Sequence, residues 1–276
     1  MVEVATDELF GSKRKKKEEG YRFIHWELGE GQARLTLKRP PNNALNGEML
    51  TEIAIAVETL HDHPEIKVIL LAAAKGSKAF CGGVDLPEYT TERVFQMLDA
   101  FACVFNSLLE VGKPLVVGVN GAALGGGCEL AAFGDMVIAT PKAKFGLPEI
   151  KLLGTFPPFA TSIFPHLVGP KRAMELLLTG DPITAEEALQ LRLVNKVVPE
   201  ADLDKTLDQL LAKIAQHSAP VLSMTKRALY EGLGMSLTDS MKHSRDLFLN
   251  ELYKLEDSQE GLRAVIEKRK PQWKNR

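Results

Sequence analysis

Apolar positions follow a two-residue period at the start of the chain and a longer one soon after. Ile24, Trp26 and Leu28 alternate with polar neighbours, and Ala33, Leu35 and Leu37 do so again after Gly29-Glu30-Gly31. Alternation of this kind predicts two strands, and the glycine-flanked turn between them predicts a hairpin. Pro40-Pro41 stops it, because proline cannot donate to a ladder. Asn46 is a suitable N-cap for a helix carrying Leu50, Ile53, Ala54 and Val57 at helical spacing. Val68-Ile69-Leu70-Leu71 and Leu115-Val116-Val117-Gly118-Val119 read as buried strands, separated by a helix from Arg93 to Val111. A glycine-rich turn, a helix and a further strand at Met136–Ala139 follow.

The first 150 residues thus repeat a strand–loop–helix theme, which favours α/β layering. Strand signal fades after that point. Thr184-Ala185-Glu186-Glu187 has the form of a capping box, and helices are predicted over 201–217, 219–232, 236–254 and 257–269. No low-complexity linker divides the chain. A helical C-terminal part should therefore pack on the core or on a neighbouring subunit. Residues 1–20, with the basic run Lys13-Arg14-Lys15-Lys16-Lys17, read as a solvated tail, or less simply as an arm that contacts phosphate.

Composition narrows the class without giving chemistry. Of 276 residues 45% are hydrophobic and 25% charged, ordinary values for a globular protein. A formal net charge of -2 provides no field to recruit nucleic acid or an anionic membrane. Cys81, Cys103 and Cys128 are too few and too odd in number for a disulfide framework, which fits a reducing compartment. No apolar run has the length to span a bilayer, and the N-terminus lacks the order of a secretory signal. A cytoplasmic location is the expectation.

Two glycine clusters and two acids carry the candidate chemistry. Cys81-Gly82-Gly83-Val84-Asp85 follows a buried strand, and adjacent glycines let backbone N–H groups approach a ligand. A tight turn with no ligand explains the same residues. Asn120-Gly121-Ala122-Ala123-Leu124-Gly125-Gly126-Gly127-Cys128-Glu129 lies between a strand and a helix, where free N–H donors and the helix dipole favour an anion or oxyanion. A phosphate loop competes, but neither the P-loop spacing nor a G-x-G-x-x-G is present. Glu129 stands one turn into that helix. Glu149, in Phe145-Gly146-Leu147-Pro148-Glu149, is a second acid in apolar surroundings. Two carboxylates on one pocket could hold a water and exchange protons with a substrate. A first-turn glutamate favouring the dipole and a surface-loop acid remain the plainer readings.

Taken together these segments resemble the crotonase (enoyl-CoA hydratase/isomerase) superfamily. Phe80–Asp85 is similar to its F-[CS]-A-G-A-D segment, Asn120–Leu130 to N-G-x-A-x-G-G-G-x-E-L and Phe145–Ile150 to F-G-x-P-E-[IV]. Asn43-Ala44-Leu45-Asn46 and Glu267-Lys268-Arg269-Lys270-Pro271 match its early and final stretches, in the family's order from about Tyr21 onward. The resemblance implies an α/β fold with a ββα spiral core over 21–210, and a helical trimerisation region over 211–276. It implies a homotrimer or homohexamer, and an acyl-CoA substrate that brings coenzyme A with it, so that no separate cofactor is needed. Nucleic-acid, membrane and metal binding are not expected. By resemblance, the N–H groups of Gly82 and Gly126 hold the thioester oxygen, while Ala44, Gly82, Gly83, Val84 and Asp85 line the CoA channel with Gly126. Glu129 and Glu149 hold the water that adds across the double bond. Double-bond isomerases of the family usually keep only the second acid, so hydration is the favoured activity.

One stretch departs from the family. The usual turn after the second glutamate is glycine-rich, and here it reads Thr155-Phe156-Pro157-Pro158-Phe159-Ala160-Thr161. Pro158 has no N–H to offer, and Phe156 and Phe159 add bulk. Either this turn is structural, or the pocket takes a rigid or cyclic acyl group, such as the cyclic dienoyl-CoA thioesters of aromatic-acid degradation. Cys81 and Cys128 read as buried thiols, His61-Asp62-His63 as surface, and Lys268–Lys270 as a helix cap or a contact to CoA phosphate. The alternatives are another crotonase-type reaction (isomerase, hydrolase, dehalogenase or decarboxylase) and a non-catalytic RNA-binding or scaffold member.

Overall fold

The computed structural model describes residues 20–276, so the basic run Lys13–Lys17 lies outside the described residues. Strands β1 (Ile24–Gly29) and β2 (Gln32–Leu37) form the expected antiparallel hairpin. Glu30 and Gly31 turn it, both at positive φ (52° and 77°), as a two-residue hairpin turn of matching twist requires. Asn46 caps α1 (Gly47–Glu58) by accepting the Met49 N–H at 3.0 Å.

Three ββα units then follow in sequence. The first holds β3 (Val68–Ala73), β4 (Ala79–Cys81) and α2 (Val94–Glu110). The second holds β5 (Leu115–Val119), β6 (Ala122–Leu124) and α3 (Gly126–Ala132). The third holds β7 (Met136–Ala139), β8 (Lys144–Gly146) and the short α4 (Glu149–Leu152). In each unit the first strand joins one sheet and the second strand joins another. The sheets run β1-β2-β3-β5-β7-β10 (β10 being Lys196–Val197) and β4-β6-β8-β9 (β9 being Ile183–Thr184), with β3, β5 and β7 parallel in one and β4, β6 and β8 parallel in the other. This alternation is the spiral.

The larger sheet is covered on both faces, which is why its central strands are apolar throughout rather than alternating. Ile69, Leu71, Val117, Val119 and Val137 face the main core, with Phe101, Phe105 and Leu108 of α2. Val68, Leu70, Val116 and Ile138 face the opposite way, onto Leu207, Leu211 and Ile214 of α8 (Leu203–Ala215).

Between these lie α5 (Ala160–Val168), α6 (Pro170–Thr179) and α7 (Ala185–Gln190), and Thr184 and Glu187 form the capping box reciprocally. Two strands were not expected beyond residue 150: β9 (Ile183–Thr184) pairs with β8, and β10 (Lys196–Val197) extends the larger sheet beside β7. Two-residue strands have no periodicity to read. The last helices are α9 (Ala219–Gly232), α10 (Leu237–Asn250) and α11 (Glu256–Ile266). The helix anticipated over 236–254 breaks at Glu251, where φ and ψ are -121° and -64°, and ends as a 3-10 turn. Among the described residues no helix is long and apolar enough to cross a membrane.

Candidate active site

The chain around the first glycine pair is stitched to residues 39–45. Asn43, fully buried at φ 52°, donates through Nδ2 to the Ala79 and Phe80 carbonyls (3.2 and 3.0 Å) and accepts the Arg39 N–H through Oδ1 (2.9 Å). Arg39 in turn donates to the Ala44 carbonyl (2.8 Å) and to Asp85 Oδ2 (2.6 Å). The Gly82 N–H donates to the Asn42 carbonyl at 2.8 Å, so this expected thioester donor is already occupied by the chain.

Val84 is the free donor of the segment. Leu45 pairs with it in a parallel bridge, donating to the Gly83 carbonyl and accepting from Asp85 N, both at 2.8 Å. In that pattern the flanking residues make the bonds, and the N–H of Val84 itself points to the opposite edge. That edge faces the second glycine segment, since β4 lies beside β6.

Space at the glycines shows how closely the two segments abut. A Cβ on Gly83, which has φ +99°, would lie 2.9 Å from the Leu124 carbonyl oxygen, and one on Gly127 would lie 2.4 Å from the Cys81 carbonyl oxygen. A Cβ on Gly126 would sit 2.8 Å from Phe101 and 3.0 Å from Val84. Gly126 is the first residue of α3, so its N–H has no intrahelical acceptor. Two main-chain donors, on Val84 and Gly126, therefore meet where the strands end.

Both acids reach this place. Glu129 is only 2% exposed in the first turn of α3. Its Oε1 accepts the N–H of Ala160, the first residue of α5, at 2.8 Å. Burial, reinforced by the Glu149 charge, pushes its pKa up to about 7, against the opposing hydrogen bonds from the Ala160 and Phe159 amides. Glu149 opens α4 and is 5% exposed, and its oxygen lies where a Cβ on Gly125 would be, 2.2 Å from that position. Burial raises its pKa as well, and its Oε2 is buried with no hydrogen-bond partner. Such an atom costs stability unless a ligand or water satisfies it.

Sequence reading missed Tyr89. It ends a 3-10 turn, Leu86–Tyr89, that continues directly from Asp85. Its hydroxyl is held protonated up to about 12 by burial and by the charges of Glu149 and Glu129. A lone tyrosine in a loop carries no pattern, and only the fold brings it to the acids.

The remaining expectations divide. Ala44 and Asp85 line a cavity of about 630 Å³ with Phe23 and with Arg22, Lys38 and Arg39, three cations of the kind that suit phosphate. Phe159 packs edge-on against Phe101 and Phe105, with centroids 5.1 and 5.0 Å apart, and so backs the wall behind Gly126. Phe156 is 60% exposed and Pro158 is also exposed, so neither is enclosed in a pocket of this chain alone. Cys81 and Cys128 are buried, and burial raises both thiols, Cys81 to about 12, which leaves no ready thiolate. Arg269 is committed to Glu260 and Glu267. Among the described residues no His, Cys, Asp and Glu cluster could hold a metal, His61-Asp62-His63 included.

Known proteins point the same way. Residues 27–276 match the family model described as enoyl-CoA hydratase/isomerase. The chain is 37% identical over 248 residues to a probable mitochondrial enoyl-CoA hydratase of Dictyostelium discoideum, covering 88% of this chain and 87% of that one. It is 36% identical over 255 residues to a crotonyl-CoA hydratase of Syntrophomonas wolfei, covering 91% and 97%. The crystal structure of an enoyl-CoA hydratase from Bacillus anthracis superposes with a TM-score of 0.86 at 29% identity, covering 92% of this chain and all of that one (100%). With a spiral of ββα units, paired main-chain donors and two buried acids in common with the pattern of its sequence, the chain belongs to the enoyl-CoA hydratase/isomerase family and has the crotonase fold.

Proposed function

We propose that this protein is an enoyl-CoA hydratase, which adds water across the α,β double bond of an acyl-CoA thioester. One observation carries the reading: Glu129 and Glu149, both buried, flank the site where the Val84 and Gly126 N–H groups converge. Moving a double bond within the substrate needs one acid–base group, whereas adding water needs the nucleophile held and deprotonated as well as a proton delivered.

The geometry supports the following roles. The Val84 and Gly126 amides take the thioester oxygen, in place of the Gly82 and Gly126 pair expected from sequence. They stabilise the enolate, a contribution worth roughly 3–4 kcal/mol per donor in oxyanion holes. Backbone amides at the start of α5 favour the anion of Glu129, which makes it the base. Glu149 Oε2 lacks any donor and carries the proton. Water oxygen bonds to the β-carbon as its proton passes to Glu129. The π electrons move onto the thioester oxygen, then return as Glu149 protonates the α-carbon. Exchange of one proton between the acids and solvent resets the pair. Coenzyme A enters and leaves as part of the substrate, along Ala44, Gly83, Val84 and Asp85, and no separate cofactor takes part.

The C-terminal helices support assembly as a homotrimer or homohexamer. Leu233, Leu237, Met241, Phe248, Val265 and Ile266 stand more than half exposed or close to it on or beside α9, α10 and α11. A soluble chain covers apolar surface of that extent. Loss of the conjugated enoyl absorbance of crotonyl-CoA, with light scattering for mass, tests both parts. Absence of hydration by the wild-type protein, or full activity in Glu149→Gln, would overturn the reading. Turnover of a cyclic dienoyl-CoA beside crotonyl-CoA decides whether Phe159 and its neighbours select a ring.

A further inference from the structure

Aromatic rings hold together the two helices that meet at Glu129. The acid stands on α3, and the Ala160 amide it accepts opens α5, so their 2.8 Å bond crosses from one helix to the other. Phe105 of α2 spans the same gap. Its ring centroid lies 4.4 Å from that of Phe133, at the end of α3, and 5.0 Å from that of Phe159, the residue before Ala160. Phe133 is one turn beyond Glu129 and donates its N–H to the Glu129 carbonyl at 3.0 Å. Phe159 also meets Phe101 edge-on at 5.1 Å, and Phe101 is the ring that abuts Gly126. Edge-to-face pairs are directional, so they fix the Phe159 ring and with it the local backbone. That backbone has no other large anchor. From Gly154 to Ser162 the chain is largely exposed, Pro157 and Ala160 are buried but small, and Phe159 is the one large side chain turned inward. Amides in the first turn of a helix have no intrahelical acceptor, and here Glu129 supplies one.

We propose that Phe159 is a positioning residue for hydration: its ring, seated on Phe101 and Phe105, holds the start of α5 so that the Ala160 amide stays aimed at Glu129. This deepens the hydratase reading and rests on its assignment of Glu129 as the base. A donor held on the carboxyl favours the carboxylate, whereas burial favours the acid. Without the ring the start of α5 is free to move and burial prevails. Glu129 then keeps its proton to higher pH, where it can no longer take one from water. The other titratable groups acting on Glu129 are Glu149 on α4, Tyr89 on the 3-10 turn and the Cys128 thiol beside it on α3. None of them is a cation that could replace the lost amide.

Titration of the carboxyl itself tests this without relying on catalysis. Difference infrared spectroscopy follows Glu129 in unliganded protein carrying Glu149→Gln, so that the pair no longer titrates as a unit, and Glu129→Gln identifies the signal. Against that background Phe159→Ala should raise the midpoint by about one pH unit, the scale of a lost hydrogen bond to a charged group. Phe159→Leu, which keeps apolar bulk against both rings, should bring most of the shift back. Phe159→Val reads the same direction if Phe159→Ala does not fold. Leu207→Ala, in the opposite core, should lose stability and leave the midpoint in place. With both acids present, Phe159→Ala should move the acidic limb of kcat for crotonyl-CoA upward with the midpoint. That is about a tenfold loss of rate on the limb, with KM changed little. A midpoint unmoved by Phe159→Ala, or moved as far by Leu207→Ala, would sink the inference. So would a change confined to KM, which would make the ring only a wall of the acyl pocket. An unmoved midpoint in a protein that hydrates crotonyl-CoA defeats the role of Phe159 alone, whereas absence of hydration by the wild type defeats the hydratase reading.

Discussion

Gly125 makes room for Glu149: a Cβ on residue 125 would fall 2.2 Å from Glu149 Oε1, and the backbone there has φ +51°. The acid and the glycine turn therefore fix each other. Gly125→Ala forces either the carboxylate or the start of α3 to move. A misplacement near 1 Å costs on the order of 100-fold in rate, so kcat/KM should fall by about that factor, with a stability loss of roughly 1–2 kcal/mol from the left-handed backbone alone. Gly76 is the control, since it has φ +82° with nothing within 4 Å. Gly76→Ala should show the stability loss in a thermal melt and leave kcat/KM intact. Equal activity in the two variants would disprove the coupling.

The acids should fail in distinguishable ways. Glu149→Gln keeps shape but can neither accept nor lose the proton meant for the α-carbon, and Glu129→Gln cannot take the proton of water. Each should lower kcat by roughly 100- to 10,000-fold, the usual range for a positioned acid or base, with KM changed little. Solvent deuterium exchange at the α-carbon separates them. Glu129→Gln should retain some exchange in saturated product analogues through Glu149, and Glu149→Gln should lose it. The opposite pattern would exchange the assigned roles.

Glu129 also links stability to pH. A carboxyl that binds its proton more tightly when folded stabilises the fold wherever that proton is present. The contribution is complete below the ordinary value of 4.5 and is lost as pH rises toward about 7. The shift corresponds to an effect on the order of 3 kcal/mol. Glu149, also raised by burial, acts in the same sense. Urea unfolding of the wild type should therefore show a stability component falling between pH 5 and 7 by roughly this amount. Glu129→Gln should flatten that slope and be the more stable protein at pH 8. A wild-type slope of the opposite sign, after the exposed carboxylates are matched in both proteins, would show that Glu129 is ionised throughout.

How much of this the sequence disclosed depended on length and repetition. Strands β3, β5 and β7, helices α1, α2 and α9, and the caps at Asn46 and Thr184 all declare themselves through four or more patterned positions or a specific polar spacing. The smaller sheet did not, because β4, β6 and β8 have three residues each and owe their pairing to the larger sheet that carries them. Glu129, Glu149 and Gly126 stood out because glycine-rich turns and acids in apolar runs are unusual. Val84 was legible only as a channel residue. Its role as a free donor depends on which side of the strand Leu45 occupies, and that is a tertiary fact. Gly82 is the donor that the family resemblance implies, yet its amide is spent on Asn42. Tyr89 had no local signal at all.

Asn43 anchors the root of the first glycine segment through its side chain. Its side chain satisfies two carbonyls and one amide while its backbone holds φ 52°, a conformation asparagine tolerates better than most residues. Asn43→Ala removes all three bonds in a fully buried place and adds left-handed strain. The carbonyls of Ala79 and Phe80, at the root of the glycine segment, lose their partner. A buried group stripped of its hydrogen bond costs about 1–3 kcal/mol, so a total loss near 3–4 kcal/mol is expected once the roughly 1 kcal/mol of strain is included. It should appear as a lower urea midpoint with an unchanged slope. Asn43→Gly relieves the strain while losing the same bonds, and should recover about 1 kcal/mol of the deficit. Both variants should lose kcat/KM by a common factor beyond what unfolding explains, because the Val84 amide is aimed by the same loop. A glycine variant as active as the wild type would mean that Arg39 and Asp85 hold that amide in place without help from Asn43.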